Sequence, residues 1–149
     1  MIGKLLLLLS VGCLVFMPLR APNADDDKKM LEGTWILVAA ELGGQKLPDE
    51  GLKDAAAGDA AGKLILTDGR YTFQNDQGTY KLGPADKPKT MDINGTHGPN
   101  QGKTFLAIYE LTGDSLRICY DLAGKMRPSE FTTKAGTLQF LAFYKRAKA

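Results

Sequence analysis

The sequence predicts an all-β fold: an antiparallel up-and-down barrel of about eight strands, with a short helical turn in the loop after the first strand. Three observations carry this reading. Short segments with apolar residues at every second position follow one another from Thr34 to Arg146. Gly, Asp, Asn and Pro separate them at the intervals of hairpin turns. The first segment opens on Gly33-x-Trp35, which holds the chain's single tryptophan. Closing such a meander on itself removes two exposed sheet edges, although a sandwich of two sheets satisfies the same spacing.

Thr34 to Glu41, rich in Trp, Ile, Leu and Val, is the first strand, and Gly43-Gly44 ends it. Pro48 to Ala60 mixes Asp, Glu, Ala and Gly without alternation, so a surface loop with a turn or two of helix is expected there. Lys63 to Thr67 and Arg70 to Gln74 flank Asp68-Gly69, a pair that tolerates positive φ and closes a hairpin. Gly78 to Leu82 and Thr90 to Asn94 follow, parted by Gly83-Pro84. Asn94-Gly95 reads as a turn and the glycine-rich stretch 95–102 as a connection. Thr104 to Leu111, the turn Thr112-Gly113-Asp114, Ser115 to Tyr120 and Thr137 to Arg146 complete the series. Leu116, Ile118 and Tyr120 share one face, Arg117, Cys119 and Asp121 the other. In the last strand Leu138, Phe140, Ala142 and Tyr144 oppose Gln139, Leu141, Phe143 and Lys145. Both of its faces are apolar, so part of the outer one is expected to lie under a loop or the helical turn.

Residues 1–24 read as an export leader. Lys4 precedes an apolar run from Leu5 to Leu19, which suits a signal peptide and falls short of the roughly 20 residues a membrane-spanning helix requires. Export to the periplasm or the extracellular space is expected, with cleavage near Ala24 and no membrane span. Cys13 follows Ser10-Val11-Gly12, yet five of the six residues after it are apolar where a lipoprotein turns polar, so a lipid anchor at Cys13 is not expected. Residues 25–29 read as a polar, flexible spacer and 30–149 as one domain. The leader holds Lys4 and Arg20 and no acids, which leaves 17 basic against 17 acidic residues in the rest of the chain. A neutral domain with only small basic clusters lacks the footprint of a nucleic-acid-binding surface. Cys119 is then the sole cysteine, so no internal disulfide is available, and it is expected as a buried small hydrophobe.

The ordered set Leu31-x-Gly33-x-Trp35, Lys87-Pro88-Lys89-Thr90-Met91-Asp92-Ile93, Gly102-Lys103-x-x-x-x-Ile108-Tyr109-Glu110-Leu111, Gly113-Asp114-x-Leu116-Arg117-Ile118-Cys119 and Arg127-Pro128-x-Glu130-Phe131 resembles a family of small exported bacterial domains expanded in planctomycetes. That family has no established activity, so the resemblance carries over no functional residue. Gly33-x-Trp35 with a basic residue ending the last strand is also similar to the lipocalins, in which the cation lies over the indole and closes the barrel base. Arg146 is the matching residue here. A Trp35–Arg146 latch is expected, worth about 0.5–2 kcal/mol.

Few residues offer chemistry. His97 is the only histidine, and with Cys119 it makes too small a set for zinc, so no metal or cofactor is expected. A glycine-rich loop for His97 and a regular strand for Cys119 make a poor nucleophile and base pair. Nothing in the spacing of Asp92, Glu110, Asp114, Asp121 and Glu130 places two carboxylates in one cleft, and an enzyme is not expected. Gly98 to Thr104 lacks the glycine spacing of a phosphate loop and leads into a strand. Arg117, paired with Glu130, and Arg127 either fix the 127–131 segment or recognise a ligand's carboxylate. Tyr109, Tyr120, Arg117 and Arg127 are the candidate ligand-binding residues. The expected function is a binding module for a small apolar or amphipathic molecule, motivated by Phe73, Tyr80, Phe105, Tyr109, Tyr120, Phe140 and Tyr144. The alternative is an envelope structural or protein-interaction domain, because an eight-stranded barrel is just wide enough to fill itself with side chains.

Overall fold

The computed structural model describes residues 17–21, 23–50, 52 and 62–148. Helix α1 (Ala24–Leu31) precedes β1 (Gly33–Leu42), β2 (Gln45–Lys46), β3 (Lys63–Thr67), β4 (Arg70–Phe73), β5 (Asp76–Gly83), β6 (Thr90–His97), β7 (Thr104–Thr112), β8 (Ser115–Asp121) and β9 (Gln139–Arg146). The sheet order is β2-β1-β3-β4-β5-β6-β7-β8-β9, and β1 also pairs with β9. β2 is a two-residue flap on β1; the other eight strands close an antiparallel barrel, as the alternation predicts. The β1–β9 register, from Trp35 opposite Arg146 to Leu42 opposite Phe140, decides for a barrel over a sandwich.

Local chemistry accounts for most strand ends. Asp68 and Gly69 take φ of 49° and 74°, the two positive values that match a two-residue turn to the twist of its strands. β6 runs through Asn94-Gly95, which is strand rather than the expected turn. Gly95 donates to the Lys103 carbonyl and accepts from the Gly102 amide, both at 2.9 Å. A Cβ at Gly95 would collide with the Asn100 carbonyl. Glycine is therefore what lets the 98–102 loop fold back against β6.

The sheet separates two cores. The inner one holds Trp35, Leu66, Met91, Tyr109, Leu116, Ala142 and their neighbours, all nearly excluded from water. A smaller one lies outside, where Phe131 of the β8–β9 connection packs with Ile108, Cys119, Leu141 and Phe143. The doubly apolar β9 thus has its outer face under a loop, for the reason its sequence implies: neither Leu141 nor Cys119 keeps any appreciable exposure.

Residues 25–29 are not a flexible spacer. They form the body of α1, whose N-cap Asn23 accepts from the Asp25 amide, with Asp25, Asp26 and Asp27 in the first turn and Lys28 and Lys29 in the last. That order of charges complements the helix dipole. Leu31 is fully buried and Asp27 nearly so, so the helix is part of the packed body. Of the helical turn expected within Pro48–Ala60, Asp49, Glu50 and Leu52 are helical, while 51 and 53–61 lie outside the described residues. Residues 1–16, with most of the expected leader and Cys13, lie outside them too. Among the described residues no helix is long and apolar enough to cross a membrane.

Candidate functional site

One end of the barrel is sealed. Trp35 is fully buried, and its Nε1 donates to the Leu31 carbonyl at 2.8 Å. Arg146, opposite it in register, places Cζ 4.2 Å from the indole centroid. The guanidinium donates to the carbonyls of Glu32 at 2.8 Å and Met30 at 2.7 Å, and to Asp114 Oδ1 at 3.1 Å. A side chain at Gly33, where φ is 129°, would press within 3.0 Å of Arg146 Nη1, which explains the glycine two residues before the tryptophan. Asp27 of α1 closes the remaining gap: its Oδ2 accepts from Tyr109 Oη at 2.5 Å and Lys89 Nζ at 2.8 Å. Burial, then the hydrogen bond to Asp27 and that residue's charge, push the Tyr109 phenol far above the usual tyrosine range.

Above this floor the barrel is hollow. A cavity of about 210 Å³ lies among Phe73, Tyr80, Phe105, Tyr120, Phe140 and Tyr144, with Leu64, Met91 and Ile118 between the rings. Phe105, Tyr120 and Phe140 form a tilted aromatic row with centroids 5.6 and 5.5 Å apart. The lining residues with most exposure are Leu122, at 40 %, and the half-buried Phe73, Ile93, Asn100, Tyr120 and Phe140, all at the end away from Trp35. That end is the mouth.

Polar groups in this wall are few. Asp76, 9 % exposed, faces inward opposite Phe73. Its Oδ2 accepts from Asn100 Nδ2 at 2.7 Å and Tyr71 Oη at 3.1 Å, and its Oδ1 accepts from the Asn100 amide at 3.2 Å. The Tyr80 phenol is also buried; burial and the charge of Glu32 push it up, while a hydrogen bond from the Gly69 backbone draws it down. Burial, followed by the charge of Asp76, pushes the Tyr120 phenol up to about 12. A carboxylate held by neutral donors at the rim of an aromatic cavity can bind and orient a polar head while apolar walls take the rest of a molecule.

The four candidate ligand residues end in four different settings. Tyr120 lines the cavity. Tyr109 belongs to the floor, bound to Asp27. Arg117 lies on the outer face because it alternates with Leu116 and Ile118; its Nε sits 2.6 Å from Glu110 Oε2, off the line of a hydrogen bond, and its Cζ 4.0 Å over the Phe131 ring. Its partner is therefore Glu110, directly opposite in the β7–β8 register, and not the exposed Glu130. Arg127 is also outside, bonding Asp92 at 2.5 Å and the Ala107 carbonyl at 2.7 Å, so it fastens the β8–β9 connection to β6 and β7. Neither arginine reaches the cavity.

His97 is exposed at the end of β6, with Nδ1 3.1 Å from Thr96 Oγ1. Cys119 is buried on β8 beneath the Phe131 loop, and burial pushes its thiol up to about 11. Two strands apart and differently exposed, they do not form a nucleophile and base pair. Among the described residues no three His, Cys, Asp or Glu side chains gather as metal ligands. The polar residues that matter, Asp27, Tyr71, Asp76 and Asn100, escaped the sequence reading. Asn75-Asp76 looks like turn chemistry, and only the pairing of Phe73 with Asp76 shows that the aspartate points inward. Compared with protein-family models, curated proteins and solved structures, the chain matches none.

Proposed function

We propose that this protein is an exported, lipocalin-like binding module that holds one small apolar or amphipathic molecule inside its barrel. One observation carries the reading: the lumen is not filled by its own side chains but keeps about 210 Å³ of space under a mouth rimmed by aromatic rings. An apolar cavity of about 150 Å³ in another protein takes up benzene, so this volume suits a single ring with a short tail. Pockets for drug-sized molecules begin at about 300 Å³. The export leader read in residues 1–24 supplies the compartment in this reading. A second reading, an envelope protein-interaction domain, is favoured by Leu122, Met126 and Leu138, which are 40, 73 and 54 % exposed along the β8–β9 connection.

Toluene separates the two. A ligand that binds only the folded state raises its stability with concentration, so toluene is expected to raise the melting temperature progressively. Ile93→Trp, which plugs the mouth, is expected to abolish that response while the β-sheet circular dichroism persists. A melting temperature indifferent in the unaltered protein both to toluene and to its single-ring amine, alcohol and acid analogues would sink the ligand reading and leave the interaction domain.

A further inference from the structure

Asp76 is a nearly buried carboxylate in an apolar wall, and among the described residues no lysine or arginine forms an ion pair with it. Three neutral donors orient it, two on Oδ2 and one on Oδ1. A carboxylate offers roughly four acceptor positions, so Oδ1 retains one. Its charge is felt at Tyr71 and Tyr120, whose phenols it raises in addition to the larger effect of burial. The walls beside it are the faces and edges of Phe105, Tyr120 and Phe140. Aromatic faces attract cations, most strongly where water is excluded, and a carboxylate attracts them more in a low-dielectric setting than in water.

We propose that the cavity selects a small organic cation, an arylalkylamine whose ammonium group ion-pairs with Asp76 at the mouth while its ring lies among Phe105, Tyr120 and Phe140. The proposal rests on the ligand-binding reading above and adds the charge of the ligand. It accounts for an aspartate where an apolar residue would otherwise complete the wall.

Calorimetric titration of the unaltered protein with three probes of one shape tests it: 2-phenylethylamine, 2-phenylethanol and phenylacetate. One charge-assisted hydrogen bond corresponds to about a tenfold gain, so the amine is expected to bind at least about tenfold tighter than the alcohol, with phenylacetate weakest. Asp76→Asn is expected to abolish the preference, so that on the variant the amine binds no more tightly than the alcohol. An alcohol that binds as well as the amine, or a preference that survives Asp76→Asn, overturns the cation proposal and leaves the binding module standing. If neither the probes nor toluene bind, the module reading falls and this proposal falls with it. Should Asp76→Asn fail to fold, the ranking of the three probes on the unaltered protein decides alone.

Discussion

The two ends of this barrel treat polar groups in opposite ways. At the floor every charge that meets the core has a counterpart: Asp27 has Lys89, Arg146 has Asp114 and two carbonyls, and the Trp35 N–H has the Leu31 carbonyl. In the cavity above, Asp76 has donors but, among the described residues, no cation, and space remains between the rings. An unsatisfied buried polar group costs about 1–3 kcal/mol. With its charges paired at one end and a carboxylate without a cation beside open space at the other, the fold is expected to hold its stability in the first and, on the proposed function, to bind in the second. Mutations at the floor should therefore unfold the protein, and those at the mouth should change what it holds.

Trp35→Ala breaks the comparison if anything does. The indole is fully buried, lies under the Arg146 guanidinium and anchors α1 through Leu31. Truncating a buried tryptophan costs about 3–5 kcal/mol, a large part of the stability of a domain this size. Urea denaturation is the measurement. A loss below about 1 kcal/mol would mean that the floor is merely a lid and that stability resides elsewhere.

The strands were legible because each carries its own pattern. Leu116, Ile118 and Tyr120 against Arg117, Cys119 and Asp121 place β8 and its inward face without any knowledge of neighbours. Asp68-Gly69 fixes the β3–β4 turn by backbone sterics alone. What was not legible depends on partners distant in the chain. Asp25 to Lys29 looks like a solvated run, and the contact that makes it structural joins Asp27 to Tyr109 across 82 positions. The sequence offers Glu130 as the partner of Arg117, but cross-strand register gives Arg117 to Glu110, because residues directly opposite approach most closely. Asp76 needed both the turn geometry and the barrel's hollowness, neither of which alternation encodes.

Alkaline pH sharpens the comparison with less force. All five tyrosines have raised phenol pKa values, and burial is the first cause for each. Raised values mean that the folded state holds the neutral phenols more tightly than the unfolded chain does. Their contribution to stability is thus complete below about pH 10, where the free phenol titrates, and is lost as pH rises through the folded values. Tyrosinate absorbance in the native protein is expected to lag behind that of the urea-unfolded chain. Tyr80, whose rise a hydrogen bond from the Gly69 backbone partly offsets, should ionise before Tyr109, which burial and its bond to Asp27 push further up, so Tyr80→Phe removes an earlier part of the curve than Tyr109→Phe does. A native titration superimposable on the unfolded one would contradict the buried, neutral tyrosines on which both ends depend.

The smallest effect belongs to a residue at neither end. Arg127 is partly exposed and holds the β8–β9 connection to the outside of β6 and β7 through Asp92 and the Ala107 carbonyl. A partly exposed ion pair with one added hydrogen bond contributes about 1 kcal/mol, so Arg127→Ala should lower stability by about that much and leave amine and toluene binding unchanged. Its distinctive consequence is local. The connection carries Phe131 over Cys119, whose thiol is fully buried and raised to about 11. Loosening the connection without unfolding the barrel exposes that sulfur transiently, so iodoacetamide labelling of the Cys119 peptide should quicken more than the change in global stability accounts for. If labelling tracks global unfolding alone, the connection is not held independently by Arg127; if ligand affinity falls as well, the arginine acts on the cavity despite lying outside it.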